Sequence, residues 1–164
     1  MKITIVCHGN IARSQVLHHY VEKFAAESGV DLDVYSCGTA PIDIYPNPEE
    51  LLADVEEELS RRGLHAKVAR NILDEETRKH LHRSDYILVA DHKRKADLLG
   101  FLDGNEAVRR IRLFYEFIGE DAKDFVDTYD AEAGTQNTER YESCFDELER
   151  IARKVVLTVG AGSE

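Results

Sequence analysis

An α/β fold, a four-stranded parallel sheet with helices on both faces, is predicted by two observations. Short apolar runs take turns along the chain with segments whose apolar residues recur at three-to-four spacing. The first such run also ends in a tight Gly-Asn loop that leads straight into a helix, the arrangement that opens a doubly wound sheet. With 164 residues the chain is long enough for one well-packed core, and a single domain over residues 1–164 is expected.

Each element follows in order. Met1-Lys2-Ile3-Thr4-Ile5-Val6 reads as a strand, and Arg13 to Ser28 as a helix whose inner face is Val16, Leu17, Tyr20, Val21, Phe24 and Ala25. Gly29 stops it. Leu32–Ser36 is the second strand, and Gly38 to Pro48 is a loop holding all three prolines. Asn47 before Pro48, with Glu49 and Glu50 behind, marks a helix start; Leu51, Leu52, Val55 and Leu59 face inward, and Gly63 closes the helix. Asp74 caps a short helix through Leu81. Asp85–Ala90 is the clearest buried strand, followed by a helix to Leu99, and Arg109–Leu113 is a fourth strand with alternating faces. A long irregular segment, Tyr115 to Asn137, precedes a final helix from Thr138 to about Val159 with Tyr141, Phe145, Leu148, Ile151, Ala152 and Val155 on one side.

Composition excludes several function classes. A net charge of −11 argues against nucleic acid as a partner, since a polyanion is held by Lys/Arg stripes. No apolar run approaches the length of a membrane span, and the first residues form a strand rather than a leader, so no membrane partner and a cytoplasmic location are expected. Three cysteines, Cys7, Cys37 and Cys144, are too few and too irregular for a disulfide framework or a zinc site. The seven histidines lack metal-ligand spacing. No metal and no cofactor are expected.

The chemistry concentrates in Val6-Cys7-His8-Gly9-Asn10-Ile11-Ala12-Arg13-Ser14, at the C-terminal edge of the first strand. A tight loop beside a helix N-terminus turns backbone N–H groups into an anion-binding concavity, with Gly9 and Asn10 suited to left-handed backbone. Amide dipoles and a guanidinium favour a thiolate, the nucleophilic form of cysteine. Arg13, six positions after Cys7, offers a planar fork that matches two phosphate oxygens. Ser14 is placed to donate its hydroxyl to the Cys7 sulfur. A buried structural thiol is the competing reading of Cys7; Gly-Asn and Arg-Ser at these offsets favour the nucleophile.

These residues resemble the low-molecular-weight protein tyrosine phosphatase family, whose signature is Cys, a variable residue, Gly-Asn, two more residues, then Arg-Ser. Ser36-Cys37-Gly38-Thr39, Ala69-Arg70, Ile87-Leu88-Val89-Ala90-Asp91 and Asp127-Thr128-Tyr129 fall in the family's order, so the resemblance covers essentially the whole chain. It implies a flavodoxin-like three-layer fold of the phosphotyrosine phosphatase I type. It also implies hydrolysis of phosphotyrosine in proteins, or of small aryl phosphates, through a cysteinyl-phosphate. The protein would be a monomer or weak dimer. The catalytic residues would be Cys7, Arg13 and Asp127, the last standing where the family has its general acid; Asp121, Asp124 and Asp130 are neighbouring alternatives. Ser14, Asn10 and Ser36 would support the loop, and Ile42, Tyr45 and Tyr129 would wall the substrate.

The chain departs from the family pattern at several places. Thr128 replaces a proline, Lys67 a supporting histidine, Ile42 an aromatic, and His8 a small or apolar residue. Ala12 stands where relatives carry a second, protective cysteine, which leaves Cys7 open to progressive oxidation and weighs against an arsenate reductase. Ile11 leans toward aryl phosphate, because phosphoarginine phosphatases carry threonine there. A phosphate-binding module with decayed catalysis is the alternative of a different class.

Overall fold

In the computed structural model the described residues are all except 41–44, 46, 65–70, 103–104, 127–128, 131–134, 137 and 163–164; the side chains of 105–107, 129–130, 135–136 and 138–140 are also outside the description. β1 (Lys2–Cys7), β2 (Asp33–Gly38), β3 (Tyr86–Val89) and β4 (Ile111–Leu113) form one parallel sheet in the order β2-β1-β3-β4. Side-chain alternation along β1 sorts the core into two layers. Ile3, Ile5 and Cys7 join one cluster with α1 (Arg13–Ser28), α2 (Pro48–Arg61) and α7 (Thr138–Ala161). Val6 joins the other with Leu81 of α3 (Glu75–Arg83) and Leu98 of α4 (His92–Phe101). Helices therefore cover both faces, as predicted.

Local chemistry sets the boundaries. Gly29 takes φ +67°, and the Val30 N–H returns to the Ala25 carbonyl at 2.9 Å, which ends α1. Asp74 accepts the Thr77 N–H at 2.8 Å and caps α3. Asn47 opens α2 differently from the usual cap: its amide donates to the Glu50 carboxylate at 3.2 Å. β2 runs two residues further than predicted, to Gly38, which pairs opposite Cys7.

Two predictions are corrected. The fourth strand begins at Ile111 rather than Arg109, because α5 (Asn105–Arg110) occupies the preceding residues. Arg110 Nη1 donates to the carbonyls of Leu81, His82 and Ser84 at 3.3, 3.2 and 2.6 Å. A cation at the C-terminal end of α3 satisfies its orphan carbonyls, and that tertiary contact overrides the alternating pattern. The segment predicted irregular contains α6 (Phe114–Phe117) and a two-stranded antiparallel pair, β5 (Tyr129–Asp130) with β6 (Thr135–Gln136). Such elements are too short to show a period. Among the described residues no helix is long and apolar enough to cross a membrane.

The chain passes from β1 outward to β2 on one side and later to β3 on the other. The C-terminal end of β1 is thus the switch point at which doubly wound sheets bind ligands. Cys7 is the last residue of that strand.

Candidate active site

The loop after β1 is fixed from below by glycine and from the side by amides. Residues 9–12 are all buried. Asn10 has φ +51°, a left-handed conformation that asparagine tolerates better than most residues. The turn this makes brings the Asn10 N–H to the Cys7 sulfur at 3.2 Å. Gly38 lies so close beneath that a methyl group there would sit 2.7 Å from the Asn10 nitrogen, the Gly9 carbonyl carbon and the His8 carbonyl oxygen. The residues just after β2 hold the loop from the same side, through Thr39 N–H to the Cys7 carbonyl at 3.1 Å and Ala40 N–H to that of His8 at 2.8 Å.

One hydrogen-bond chain then points at the sulfur. The Asn71 backbone N–H donates to Asn10 Oδ1 at 2.8 Å, and Gln15 Nε2 donates to the same oxygen at 3.0 Å. A backbone N–H can only donate, so the Asn10 amide must turn its oxygen toward Asn71. Its Nδ2 therefore donates to Ser14 Oγ at 2.7 Å. Having accepted there, Ser14 Oγ is left with its own proton to give a Cys7 thiolate, whose Sγ is 3.0 Å away. Cys7 is 2% exposed, so these two donors face the sulfur in nearly dry surroundings.

Arg13 is the first residue of α1 and only 3% exposed. Its Nη1 donates to Asp91 Oδ2 at 2.9 Å and to the Phe125 carbonyl at 3.0 Å. Asp91 follows β3 and caps α4, accepting the Arg94 N–H at 2.8 Å. Burial alone would raise its carboxyl, but the Arg94 N–H and the Arg13 guanidinium outweigh that and hold it below the usual carboxylate range. Losing Asp91 would leave a nearly buried guanidinium without its counterion, a change that costs about 3–5 kcal/mol for buried pairs. Ala12, at the helix start, has no side chain to cap α1, so the helix's positive end is turned to the loop without a competing carboxylate.

Phe125 ties a further segment to the site: its N–H donates to the Ala90 carbonyl at 2.7 Å while its carbonyl takes the Arg13 bond. Beside Arg13 this creates an open cleft lined by His8, Asp91, Lys93, Arg94, Asp124 and Val126. Val126 is the last described residue before Asp127. An anion seated over the loop would meet the Cys7 sulfur, the N-terminus of α1 and the Arg13 guanidinium.

The expected residues fall into three groups. The loop residues His8, Gly9, Asn10, Ile11, Ala12, Arg13 and Ser14 stand together around Cys7. Tyr45, expected as a substrate wall, is instead 8% exposed and lies under the loop rim, its ring against Gly9 and its hydroxyl 2.9 Å from His8 Nδ1. Ser36 supports the loop only at second hand: its hydroxyl pairs with His18 Nδ1 at 2.9 Å, and its carbonyl accepts Asn71 Nδ2 at 3.1 Å. Asp127, Thr128, Ile42 and Lys67 lie outside the described residues, as does the side chain of Tyr129. Among the alternatives, Asp124 lines the cleft with its carboxylate bound to the His92 N–H at 2.9 Å. Cys37 is fully buried on the opposite face of the sheet from Cys7, and burial pushes its thiol up. Cys144 is half-buried. Asp91, Gln15, Asn71 and the Phe125 carbonyl were not expected in the site. Of these only Asp91 carries a sequence signal, an aspartate between a buried strand and a helix.

A buried cysteine, a buried guanidinium and a helix N-terminus meet at the switch point of a doubly wound sheet, the place where such sheets bind ligands. A family model described as low molecular weight phosphotyrosine protein phosphatase matches residues 2–163, and the chain belongs to that family. It is a phosphatase. Among solved structures it is similar to a YwlE mutant from Bacillus subtilis, at 20% identity and a TM-score of 0.78 over 98% of this chain and 99% of that one. It is also similar to a structure described as the YwlE arginine phosphatase in a Cys-to-Ser form with a phosphorylated active-site serine, at 20% identity and a TM-score of 0.79 over 98% and 96%. A low molecular weight protein tyrosine phosphatase from T. tengcongensis is 23% identical, with a TM-score of 0.73 over 95% and 97%. None of the curated protein sequences matches the chain.

Proposed function

We propose that the chain hydrolyses aryl phosphate monoesters, phosphotyrosine above all, through a cysteinyl-phosphate. The observation that carries this reading is the pair of donors, Asn10 N–H and Ser14 O–H, converging on the Cys7 sulfur at 3.2 and 3.0 Å beside an immobilised Arg13. The Cys7 thiolate attacks phosphorus while the P–O bond to the aryl oxygen breaks in line. Arg13 and the loop amides hold the equatorial oxygens, whose charge they meet without a metal. Asp127 protonates the departing phenolate, then takes a proton from the water that attacks phosphorus and releases the Cys7 thiolate with inorganic phosphate. Ser14 donates to the sulfur both before attack and as it leaves.

Ile11 supports an aryl rather than a guanidinium leaving group: it is 5% exposed, apolar, and offers no hydroxyl to a phosphoarginine. The test is turnover of para-nitrophenyl phosphate, phosphotyrosine and phosphoarginine with EDTA present. Cys7→Ser is expected to abolish turnover yet still bind orthovanadate. Asp127→Asn should lower the rate by about 10²–10⁴ for phenolic leaving groups and by much less for one that needs no proton. Normal turnover by Cys7→Ser overturns the mechanism, a uniform loss in Asp127→Asn moves the acid elsewhere, and preference for phosphoarginine overturns the substrate class.

A further inference from the structure

We infer that the substrate carries a second negative charge next to its phosphate, an Asp or Glu flanking the phosphorylated residue of a peptide, and that Lys93 receives it. The inference rests on the phosphatase reading above. Its ground is the charge inventory of the cleft. In a chain of net charge −11, the cleft beside Arg13 presents, among the described residues, three cations, Arg13, Lys93 and Arg94, against two carboxylates, Asp91 and Asp124. A local surplus of the sign opposite to the whole molecule selects anionic partners and repels others from the rest of the surface.

Four of these five groups are already engaged. Arg13 pairs with Asp91 at 2.9 Å, Arg94 Nε with Asp97 at 3.1 Å, and Asp124 accepts from the His92 ring at 2.6 Å. Lys93 is exposed and has no ion-pair partner among the described residues. The helix that carries it adds a second observation. The first turn of α4 holds His92, Lys93 and Arg94 with no acidic residue, which places cations at the positive end of the helix, where the dipole disfavours them. Two N–H groups of this turn, those of His92 and Arg94, are already given to Asp124 and Asp91, and the lysine side chain extends the cleft's positive charge beyond them. Position completes the case. Lys93 is two residues beyond Asp91, whose carboxylate grips Arg13, so one helix start carries both the counterion of that guanidinium and the lysine that lines the same cleft.

The experiment compares kcat/KM for three phosphotyrosyl peptides that differ only in Glu, Gln or Lys at the flanking positions. At low salt the Glu peptide is expected to exceed the Lys peptide by roughly three- to tenfold, and the ratio should collapse toward one in high salt. Lys93→Glu should invert the order, a gain for the Lys peptide that misfolding cannot mimic. Lys95→Glu, whose side chain does not line the cleft, should leave the order as it is. Equal rates for all three peptides, or an unchanged order in Lys93→Glu, would overturn the role of Lys93 while para-nitrophenyl phosphate turnover keeps the phosphatase reading intact. Absence of para-nitrophenyl phosphate turnover would strike that reading, and the inference with it.

Discussion

Gly38→Ala is the perturbation that separates an anion cradle built by backbone packing from one that merely happens to surround a cysteine. The added methyl would lie 2.7 Å from three backbone atoms of residues 8–10, whereas carbon contacts settle near 3.5–4.0 Å. Something must therefore move by roughly 0.8–1.3 Å. β2 is the less free partner, since Gly38 pairs with Cys7 in the sheet and its N–H donates to the Asn71 carbonyl at 2.8 Å. The loop yields instead, and it takes with it the Asn10 N–H that faces the sulfur. Overpacking of this kind costs about 1–3 kcal/mol, equivalent to some 2–12 °C in Tm for a domain of this size. A displacement near 1 Å at reacting groups costs on the order of 10² in rate. Paired measurements of melting and of kcat/KM for para-nitrophenyl phosphate read both losses. Gly100→Ala in α4 is the control: its methyl meets nothing within 4 Å, so it should gain about 0.4–1 kcal/mol and keep full turnover. Gly38→Ala with unaltered kcat/KM would show that the loop's position is not set from beneath, and the account of the cradle would fail.

Further outcomes follow from the same contacts. Peroxide should inactivate the enzyme without recovery by dithiothreitol, because Ala12 offers no thiol and Cys37 lies on the other face of the sheet; Ala12→Cys should restore recovery, and mass spectrometry of Cys7 would read its oxidation state. Glu120, held by Arg150 and Lys154, has its carboxyl pulled down to about 2. A lowered folded-state value gives stability present above the unfolded value near 4.5 and lost as pH falls toward 2, so wild type and Glu120→Gln should differ in Tm at neutral pH and converge in acid. Convergence in the opposite direction would remove the Glu120 bridge from the account of α7.

The sequence was most legible where one residue type did one local job. α1 is read to both ends because a loop of turn residues precedes it and a left-handed Gly29 follows it. The loop after β1 was legible because its chemistry-bearing residues are contiguous. Arg109–Leu113 misled for the opposite reason: alternation is a local signal, and the carbonyls that draw Arg110 into a helix come from residues 26 to 29 positions earlier. Asp91 is 78 positions from Arg13 and meets it only because β1 and β3 pair in parallel. The Phe125 carbonyl and the Asn71 N–H left no trace at all, since every residue has a carbonyl and nearly every one an N–H. What a sequence hides, in this chain, is backbone chemistry delivered by topology.

Position 10 shows why such delivery still constrains the sequence. The backbone there needs a left-handed φ, for which glycine would suffice. Glycine has no side chain to receive the Asn71 N–H or to donate to Ser14, so the serine proton would lose its direction. Aspartate tolerates the same backbone and accepts the same bonds, but it has no proton to give Ser14 Oγ. The hydroxyl would then turn toward the carboxylate, and the sulfur would face a lone pair in place of a donor. Only a residue that accepts at one end, donates at the other and tolerates the left-handed turn keeps the chain of donors running toward Cys7. The fold thus fixes asparagine at this position by the polarity of one backbone N–H that lies 61 residues away.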